Sequence, residues 1–322
     1  MAQSRAVKPK IFIDGAAGTT GLEIRQRLEA RNDVSLIQLS ESDRKALGPR
    51  TQALNEAAVA ILCLPDGAAR EAVAMIENPA VRVLDASSAH RVAPGWVYGF
   101  PELEPGQRSR LRAAGRVSNP GCYPTGFLAL LRPLVRAGLV PADFPVTVNA
   151  VSGYSGGGKA MIAEFEDTQS SAYVDTVVRT YGLTLAHKHV PEMHVHSGLK
   201  HAPVFAPSVG RFYRGMLVEV PLQLWALPGK PVVVDLHAAL TEAYRGEALI
   251  EVATLEEMMA RSALDAELLK HTNGMKLFVF GNDKTQQARL VAVLDNLGKG
   301  ASGAAVQNLN LMLGIGETTS LV

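Results

Sequence analysis

The order of apolar and polar positions predicts alternating strands and helices in the first third of the chain. An apolar run at 10–14 is followed by a glycine-rich turn and an amphipathic stretch to about Arg31. Further apolar runs, separated by helical patterns, lie at 34–39, 57–64 and 81–85. This alternation is typical of a parallel, doubly wound sheet with helices on both faces. The predicted fold class is therefore α/β.

The pattern changes after residue 85, which indicates a second structural unit. Loops rich in serine, proline and glycine continue to about residue 121, and longer strand-like runs follow. We predict mainly antiparallel strands at 146–151, 201–209, 215–224, 232–236, 276–281 and 287–294. A last helical pattern begins after 295 and extends to about Leu313.

The turn after the first strand has the spacing of a dinucleotide-binding motif. It contains Gly15, Gly18 and Gly21, between a strand and a helix, where a pyrophosphate would meet the helix N-terminus. The alternative is a plain structural turn. The predicted cofactor contacts in this turn are Gly15, Ala17, Gly18, Thr19, Thr20 and Gly21.

The end of the second strand bears on the choice between NAD and NADP. Ser40 and Arg44 are suited to binding a 2′-phosphate, which favours NADP(H). Glu41 and Asp43 lie in the same stretch, and a single acidic residue there commonly binds the ribose of NAD. We therefore predict a modest preference for NADP(H).

Cys122 is the candidate nucleophile. It follows an Asn-Pro-Gly turn at 119–121 and precedes an apolar helical run, with Pro124 expected at the first helical position and Pro133 expected to end or kink the helix. The positive end of the helix dipole would favour a thiolate there. The alternative is a buried apolar cysteine. Cys63, inside an apolar run, is predicted to be a core residue.

Two polar segments of the second unit are candidate parts of the same site. A glycine-rich loop at 152–158 leads into a helix and places Lys159 where it could bind a phosphate or carboxylate. The segment 186–201 holds five of the eight histidines. It has two interpretations, a zinc site or a general acid/base histidine facing the cysteine, and we favour the second.

Composition narrows the class of protein. The chain has 322 residues, 47% of them hydrophobic, and a formal net charge of +1, which gives no sign of nucleic-acid binding. No apolar run reaches the ~18 residues that a membrane span needs. Two cysteines and a polar, loosely structured N-terminus without a signal-peptide pattern favour a cytoplasmic location.

Taken together, these motifs resemble those of the N-acetyl-gamma-glutamyl-phosphate reductase family of arginine biosynthesis, in its shorter second type. The matching segments lie at 15–22, 85–91, 119–125, 152–159, 187–192 and 295–301. The resemblance implies a Rossmann domain at 1–121, to which a C-terminal helix at 295–322 returns. It also implies an α+β catalytic domain at 122–294, of the kind found in aspartate-semialdehyde and glyceraldehyde-3-phosphate dehydrogenases, and a homo-oligomer, dimer or tetramer, formed through it.

The resemblance further implies the roles of individual residues in reducing a small-molecule acyl phosphate. Cys122 would form a thioester, His189 or His187 would transfer the proton, and Asn296 would lie near the nicotinamide. The remaining predicted contacts are Gly156 and Gly157 for the cofactor and Ser88, Arg91, Asn119, Lys159 and Glu192 for the substrate. Two alternatives remain: a reductase of aminoadipyl or aspartyl phosphate, and a nucleotide-binding regulator without turnover.

Overall fold

The computed structural model describes residues 8–322 and contains two β-sheets, each covered by helices. The loosely structured N-terminus predicted from the sequence falls mostly at residues 1–7, which lie outside the described part. The parallel first sheet and the mixed second sheet confirm the predicted α/β class.

The first sheet is parallel throughout and has the order β2-β1-β3-β4-β6-β5. Its strands are β1 (Lys10–Asp14), β2 (Ser35–Ile37), β3 (Val59–Leu62), β4 (Arg82–Asp85), β5 (Val97–Tyr98) and β6 (Arg116–Ser118). β1 lies between β2 and β3, so the chain leaves it toward one side and later continues on the other. Ligands of doubly wound sheets bind at the carboxyl ends of strands at such a reversal.

The second sheet has seven strands in the order β11-β12-β13-β10-β7-β9-β8. They are β7 (Thr147–Gly153), β8 (Val178–Thr180), β9 (Val204–Gly210), β10 (Met216–Gln223), β11 (Ile250–Val252), β12 (Met275–Asn282) and β13 (Gln287–Leu294). The prediction of antiparallel strands holds for the central pairs, but β7 pairs with β9, and β11 with β12, in parallel. Helical crossovers between those partners permit parallel pairing.

Within residues 8–322, ten α-helices accompany the sheets. They are α1 (Thr19–Glu29), α2 (Leu47–Glu56), α3 (Asp66–Ala74), α4 (Gln107–Ala113), α5 (Cys122–Arg136), α6 (Gly158–Glu166), α7 (Val190–Ser197), α8 (Val233–Ala243), α9 (Leu255–Met259) and α10 (Gly303–Leu313). A 3₁₀ turn at Tyr154–Gly157 precedes α6, and a π-helical turn at Gly298–Ser302 precedes α10.

The strand predicted at 232–236 is wrong, because this segment begins α8. Asp235 accepts a hydrogen bond from the backbone N–H of Val232 and so satisfies a donor at the helix N-terminus. Leu236 and Leu240, four positions apart, are both buried on one face of the helix. The β-branched run of valines suggested a strand, but capping and helical periodicity outweigh that preference.

Pro133 does not end α5, which continues to Arg136. A proline removes the N–H that would bind the carbonyl four positions earlier, which here belongs to Ala129. The Tyr244 hydroxyl donates to that carbonyl at 2.8 Å. A side chain at the end of α8 therefore supplies the missing hydrogen bond and removes part of the cost of a proline inside the helix.

The last helix, α10, packs on the first sheet although it follows the second in sequence. Val306 and Leu309 are fully buried in one apolar cluster with Ile11, Ile24 and Val117. Asn308 donates to the backbone carbonyl of Gly99 at 2.7 Å, as part of the same contact. The first sheet thus has part of its core supplied by residues beyond the second.

Candidate active site

The glycine turn after β1 has a geometry that only glycine allows at two positions. Gly15 has φ +88°, and a Cβ there would lie 2.2 Å from the carbonyl oxygen of Cys63. A Cβ at Gly21 would lie 2.4 Å from the carbonyl oxygen of Gly15. The turn therefore packs tightly on β3 and α1, as a dinucleotide-binding turn does. Gly18 caps α1 without a side chain, which leaves the N–H groups of the first helical turn for a ligand.

A cavity of about 540 Å³ lies between this turn and residues from the second half of the chain. Its wall includes Gly18, Thr19, Thr20 and Gly21 from the glycine turn. The second half of the chain contributes Gly156, Gly157, Lys159 and Asn296. Gly15 and Ala17 lie outside the cavity wall, so their predicted role is limited to shaping the turn. The cofactor residues predicted from two distant motifs thus face one space, together with Lys159, which was predicted to contact the substrate.

Cys122 lies in the same cavity, at the first position of α5 with Gly121 as its N-cap. Pro124 was predicted to be the first helical residue, but it is the third. Its missing N–H leaves no acceptor unsatisfied there either, because the N–H groups of the first helical turn have no partner within the helix. A Cβ at Gly300, in the π-helical turn, would lie 2.8 Å from the Cβ of Cys122. Gly300 thus keeps one side of the nucleophile free of bulk.

The expectation of a resting thiolate is wrong for this conformation. Burial raises the pKa of the Cys122 thiol to about 11, even though Arg91 and the backbone N–H groups of Tyr123 and Cys122 act in the opposite direction. Desolvation therefore outweighs the helix terminus. The thiol is protonated at neutral pH, and its attack requires a base.

His189 is the base that the geometry offers. It is buried, and its Nε2 would lie 2.7 Å from a Cβ on Gly121, the residue before the nucleophile. Burial holds the pKa of His189 well below its usual range, with further lowering by Arg91, His187 and Lys188. The imidazole is therefore neutral and has a ring lone pair for the thiol proton, but the lowered pKa makes it a weaker base than a free histidine, so the proton moves only as sulfur attacks. Its Nδ1 is buried and has no hydrogen-bond partner among residues 8–322.

His187 has a supporting position. Its Nδ1 accepts the backbone N–H of His189 at 3.1 Å, which holds the backbone of the neighbouring histidine. Burial, Lys188 and Arg91 lower the pKa of His187 to about 4, so it too is neutral. Because its Nδ1 is already in use, His187 is a weaker candidate than His189 for moving the proton.

Arg91 and Glu192 form a buried ion pair behind the nucleophile. Arg91 Nη1 lies 2.5 Å from Glu192 Oε1, and Glu192 Oε2 accepts from the Tyr98 hydroxyl at 2.8 Å and the Gly121 N–H at 3.1 Å. Arg91 lines the cavity, but Glu192, only 1% exposed, does not. The substrate contact predicted for Glu192 is thus not supported, because this carboxylate is fully used in holding Arg91 and the start of α5.

The other predicted substrate residues differ in their positions. Asn119 lines the cavity and is held by Asn308 and the carbonyl of Ala301. Ser88 lies outside the cavity wall, because its hydroxyl donates to Asp66 at 2.9 Å and so joins its loop to α3. The substrate contact predicted for Ser88 is therefore not supported.

Asn296 and the second glycine loop form one unit. The Asn296 amide donates to Ser155 at 2.9 Å and accepts the Gly215 N–H at 2.7 Å, so the 3₁₀ turn and the start of β10 are held together. A Cβ at Gly156 would lie 3.3 Å from Asn296 Nδ2. Asn296 therefore shapes the cavity wall as well as facing it.

Arg44 lines a separate, small groove beyond β2, and Ser40 lies in the adjoining turn, outside the groove wall. The Ser40 hydroxyl donates to Asp43 at 2.7 Å and accepts its backbone N–H, so Ser40 stabilises the turn. Arg44 lines a groove of about 60 Å³ with Arg25 and Leu39. Sequence reasoning missed Arg25, whose position on α1 faces this groove only in the folded chain.

Cys63 was predicted to be a core residue, but it lies on the cavity wall. β3 ends at Leu62, and Cys63, which follows it, is partly exposed on the cavity wall. Burial raises the pKa of this thiol to about 12, with Asp85 and Asp14 adding to the effect. It therefore remains a neutral thiol beside the glycine turn.

Sequence reasoning also missed three residues that line the cavity near Cys122. They are Tyr123, Tyr181 and Lys188. The hydroxyl of Tyr181 donates to that of Tyr123 at 3.0 Å. Tyr123, in α5, and Lys188 lie inside the matching segments 119–125 and 187–192, which could have pointed to them, whereas Tyr181, directly after β8, has no distinctive sequence signal.

The histidine segment does not assemble into a metal-binding group within residues 8–322, where no three His, Cys, Asp or Glu side chains lie together as potential ligands. His196, for example, binds the carbonyl of Arg91 at 2.7 Å and stacks on Tyr98. In the same part of the chain, every helix is too short or too polar to cross a membrane.

Two family models match the chain. One, described as the NAD binding domain of semialdehyde dehydrogenase, matches residues 10–110, and the other, described as the dimerisation domain of semialdehyde dehydrogenase, matches 122–296. The fold and the cysteine-containing cavity thus define the semialdehyde dehydrogenase class, in which the first domain binds a nicotinamide cofactor. Aspartate semialdehyde dehydrogenase II from Vibrio cholerae, complexed with ASA, has the same fold, with a TM-score of 0.72 at 16% identity over 96% of this chain and 99% of that chain.

Curated relatives of known name identify the family within this class. The N-acetyl-gamma-glutamyl-phosphate reductase 2 of a Nostoc species is 54% identical over 98% of this chain and 99% of its own length. The N-acetyl-gamma-glutamyl-phosphate reductase of Brucella ovis is 56% identical over 96% of this chain and 100% of its own. The chain belongs to the N-acetyl-gamma-glutamyl-phosphate reductase family, which confirms the resemblance found in the sequence.

Proposed function

We propose that this enzyme catalyses the NADPH-dependent reductive dephosphorylation of N-acetyl-L-glutamyl 5-phosphate to N-acetyl-L-glutamate 5-semialdehyde, a step of arginine biosynthesis. The observation on which this rests is a single cavity that holds a helix-terminal cysteine, a neutral buried histidine and a dinucleotide-binding turn. Identity of 54% and 56% to relatives that bear the reductase name supports the substrate.

The first chemical step forms a thioester on Cys122. His189 takes the thiol proton as sulfur attacks the acyl carbon, a C–S bond forms and the C–O bond to phosphate breaks. The proton leaves with the phosphate as hydrogen phosphate. N–H groups at the start of α5 stabilise negative charge on the carbonyl oxygen and on sulfur.

The second step reduces the thioester. When bound, NADPH supplies the hydride that adds to the thioester carbonyl. His189 then gives a proton, taken from solvent, to the resulting oxyanion. As the C–S bond of the thiohemiacetal breaks, His189 takes the hydroxyl proton back and passes it to sulfur, which releases the semialdehyde and the Cys122 thiol. One proton is consumed per turnover, which balances the overall reaction.

Phosphate-dependent reduction of NADP⁺ by N-acetylglutamate semialdehyde, the reverse reaction, tests this function. The same assay with aspartate semialdehyde and with a carrier-bound aminoadipate semialdehyde addresses the related reductases. A protein that binds NADPH but turns over none of these substrates would be a nucleotide-binding regulator, and the proposed function would be wrong.

Preference for NADPH over NADH is the finer part of the cofactor proposal. Arg44, in the groove beyond β2, is suited to binding a 2′-phosphate. We expect Arg44→Ala to lower kcat/KM for NADPH by about tenfold, the effect of losing one charge-assisted hydrogen bond, with a much smaller effect for NADH. Steady-state kinetics with both cofactors measure this.

Lys45→Ala is the matched control, because it removes a neighbouring exposed cation outside the groove. An equal loss of kcat/KM for NADPH in the two variants would show only a general attraction between surface cations and the negatively charged cofactor. Equal kcat/KM values for NADPH and NADH in the unaltered enzyme would contradict the preference itself.

We propose that the protein forms a homo-oligomer, dimer or tetramer, through its second domain. Residues 122–296 match a family model described as a dimerisation domain. The sheet face with Leu217, Phe280 and Val291 borders a groove of about 190 Å³ that a second copy would cover. A monomeric mass by light scattering would contradict this proposal.

The domain division also remains a proposal, with a cofactor domain at 1–121, a catalytic domain at 122–294, and 295–322 returning to the first. The packing of Val306 and Leu309 with Ile11 supports the return. If the division is right, cofactor binding should slow hydrogen exchange in α10 together with α1; protection confined to 122–294 would argue against it.

A cytoplasmic location stays a prediction, which fractionation of cells would test.

A further inference from the structure

The charge of the cavity wall is one-sided. Three cationic side chains line it, Arg91, Lys159 and Lys188, whereas none of the described residues on the wall is aspartate or glutamate. An acyl phosphate with a free α-carboxylate carries several negative charges, so a wall of this kind complements it.

The three cations are not equivalent. Arg91 is compensated by Glu192 and bound to two backbone carbonyls. Neither Lys159 nor Lys188 forms an ion pair among residues 8–322, where the paired lysines are Lys10, Lys200, Lys270, Lys276 and Lys299. Two uncompensated ammonium groups therefore face the cavity.

The two free lysines lie toward different ends of the cavity. Lys159 follows the glycine loop on α6, a helix that contacts the cofactor helix α1. Lys188 lies between His187 and His189, and its charge contributes to lowering the pKa of both imidazoles. Since His189 Nε2 borders the residue before Cys122, Lys188 is the free cation at the reacting end.

We propose that Lys188 binds the phosphoryl group of the acyl phosphate and, in the reverse direction, inorganic phosphate. The phosphoryl group is joined to the carbon that sulfur attacks, so its cation must lie at the reacting end. A lysine binds phosphate as a point charge, and Lys188, unlike Arg91, has no carboxylate partner that already neutralises it. This inference rests on the proposed function, because it assigns one subsite of that reaction.

Lys188→Gln tests the inference in the reverse reaction. We expect the KM for inorganic phosphate to rise about ten- to hundredfold, as for loss of one charge-assisted contact, with the KM for the semialdehyde changed less than about threefold. Lys188→Arg should recover most of the phosphate affinity. Lys188 is exposed and makes no ion pair, so NADPH binding by fluorescence should be unchanged and should confirm the fold.

Lys159→Gln is the matched control, since it removes the other free cation from the same wall. An equal rise in the KM for phosphate in this variant would indicate that the positive charge of the whole cavity wall attracts phosphate, and it would overturn the assignment to Lys188. An unchanged KM for phosphate in Lys188→Gln, or a rise confined to the semialdehyde, would also overturn it. An unaltered enzyme without phosphate-dependent turnover would instead refute the proposed function, and the assignment with it.

Discussion

Cys122→Ser should lower the rate of acyl-phosphate reduction by about 10⁴-fold or more, while NADPH binding is retained. The serine hydroxyl is far less acidic than the thiol, and a helix N-terminus contributes only ~0.3–2 kcal/mol, too little to ionise it. The glycine turn that would hold the cofactor belongs to another part of the chain, and Cys122 lines the same cavity from the start of α5. Initial rates and fluorescence titration with NADPH measure the two effects separately.

Cys63→Ala is the internal control, because the second thiol of the chain lines the same cavity. It should keep near-normal turnover and lose at most some stability from the end of β3. Alkylation at neutral pH with mapping of the modified residue completes the test. Inactivation that follows labelling of Cys63, or normal turnover by Cys122→Ser, would exclude the covalent mechanism.

His189→Asn should lower kcat by about 10²–10⁴-fold with little change in the KM for the acyl phosphate. The resting thiol is protonated because burial raises its pKa to about 11, so the enzyme depends on a base for attack. Asparagine can hydrogen-bond but cannot accept the thiol proton at neutral pH. Steady-state kinetics over a range of pH measure the loss and its dependence on alkali.

Two comparisons make this assignment sharp. Because alkali can deprotonate the thiol directly, the deficit of His189→Asn should shrink as the pH approaches 11. His187→Asn should cost less, since His187 Nδ1 supports the backbone of its neighbour. A larger loss in His187→Asn would exchange the two roles, and normal turnover in both variants would remove histidine from the mechanism.

The sequence predicted best those features that depend on neighbouring residues. The glycine turn at 15–21 and the helix at Cys122 are recognisable because their requirements are local, namely positive φ, close approach and helix capping. Features that depend on distant partners were missed. Pro133 is tolerated because of Tyr244, whose hydroxyl bonds a carbonyl 115 positions away.

The chemical state of the site was harder to predict than its composition. The helix-terminus argument for Cys122 gave the right position and the wrong charge, because desolvation depends on surroundings that spacing does not reveal. Glu192 shows the same limit. Its motif suggested a ligand, yet its burial and its contacts with Arg91 and Gly121 make it a support. Cys63 lines the cavity because β3 ends at Leu62, so Cys63 follows the strand and is not part of it.

The return of α10 to the first sheet has a consequence for the order of folding. Arg31 bonds Asn310, 279 positions along the chain, and Arg82 bonds the carbonyl of Met312, 230 positions along. Closing such loops costs conformational entropy before the contacts reward it, so the docking of α10 belongs to the late, slow events. A nascent chain on the ribosome must keep part of this sheet's apolar surface uncovered until the helix has been synthesised, and chaperones would be expected to bind there.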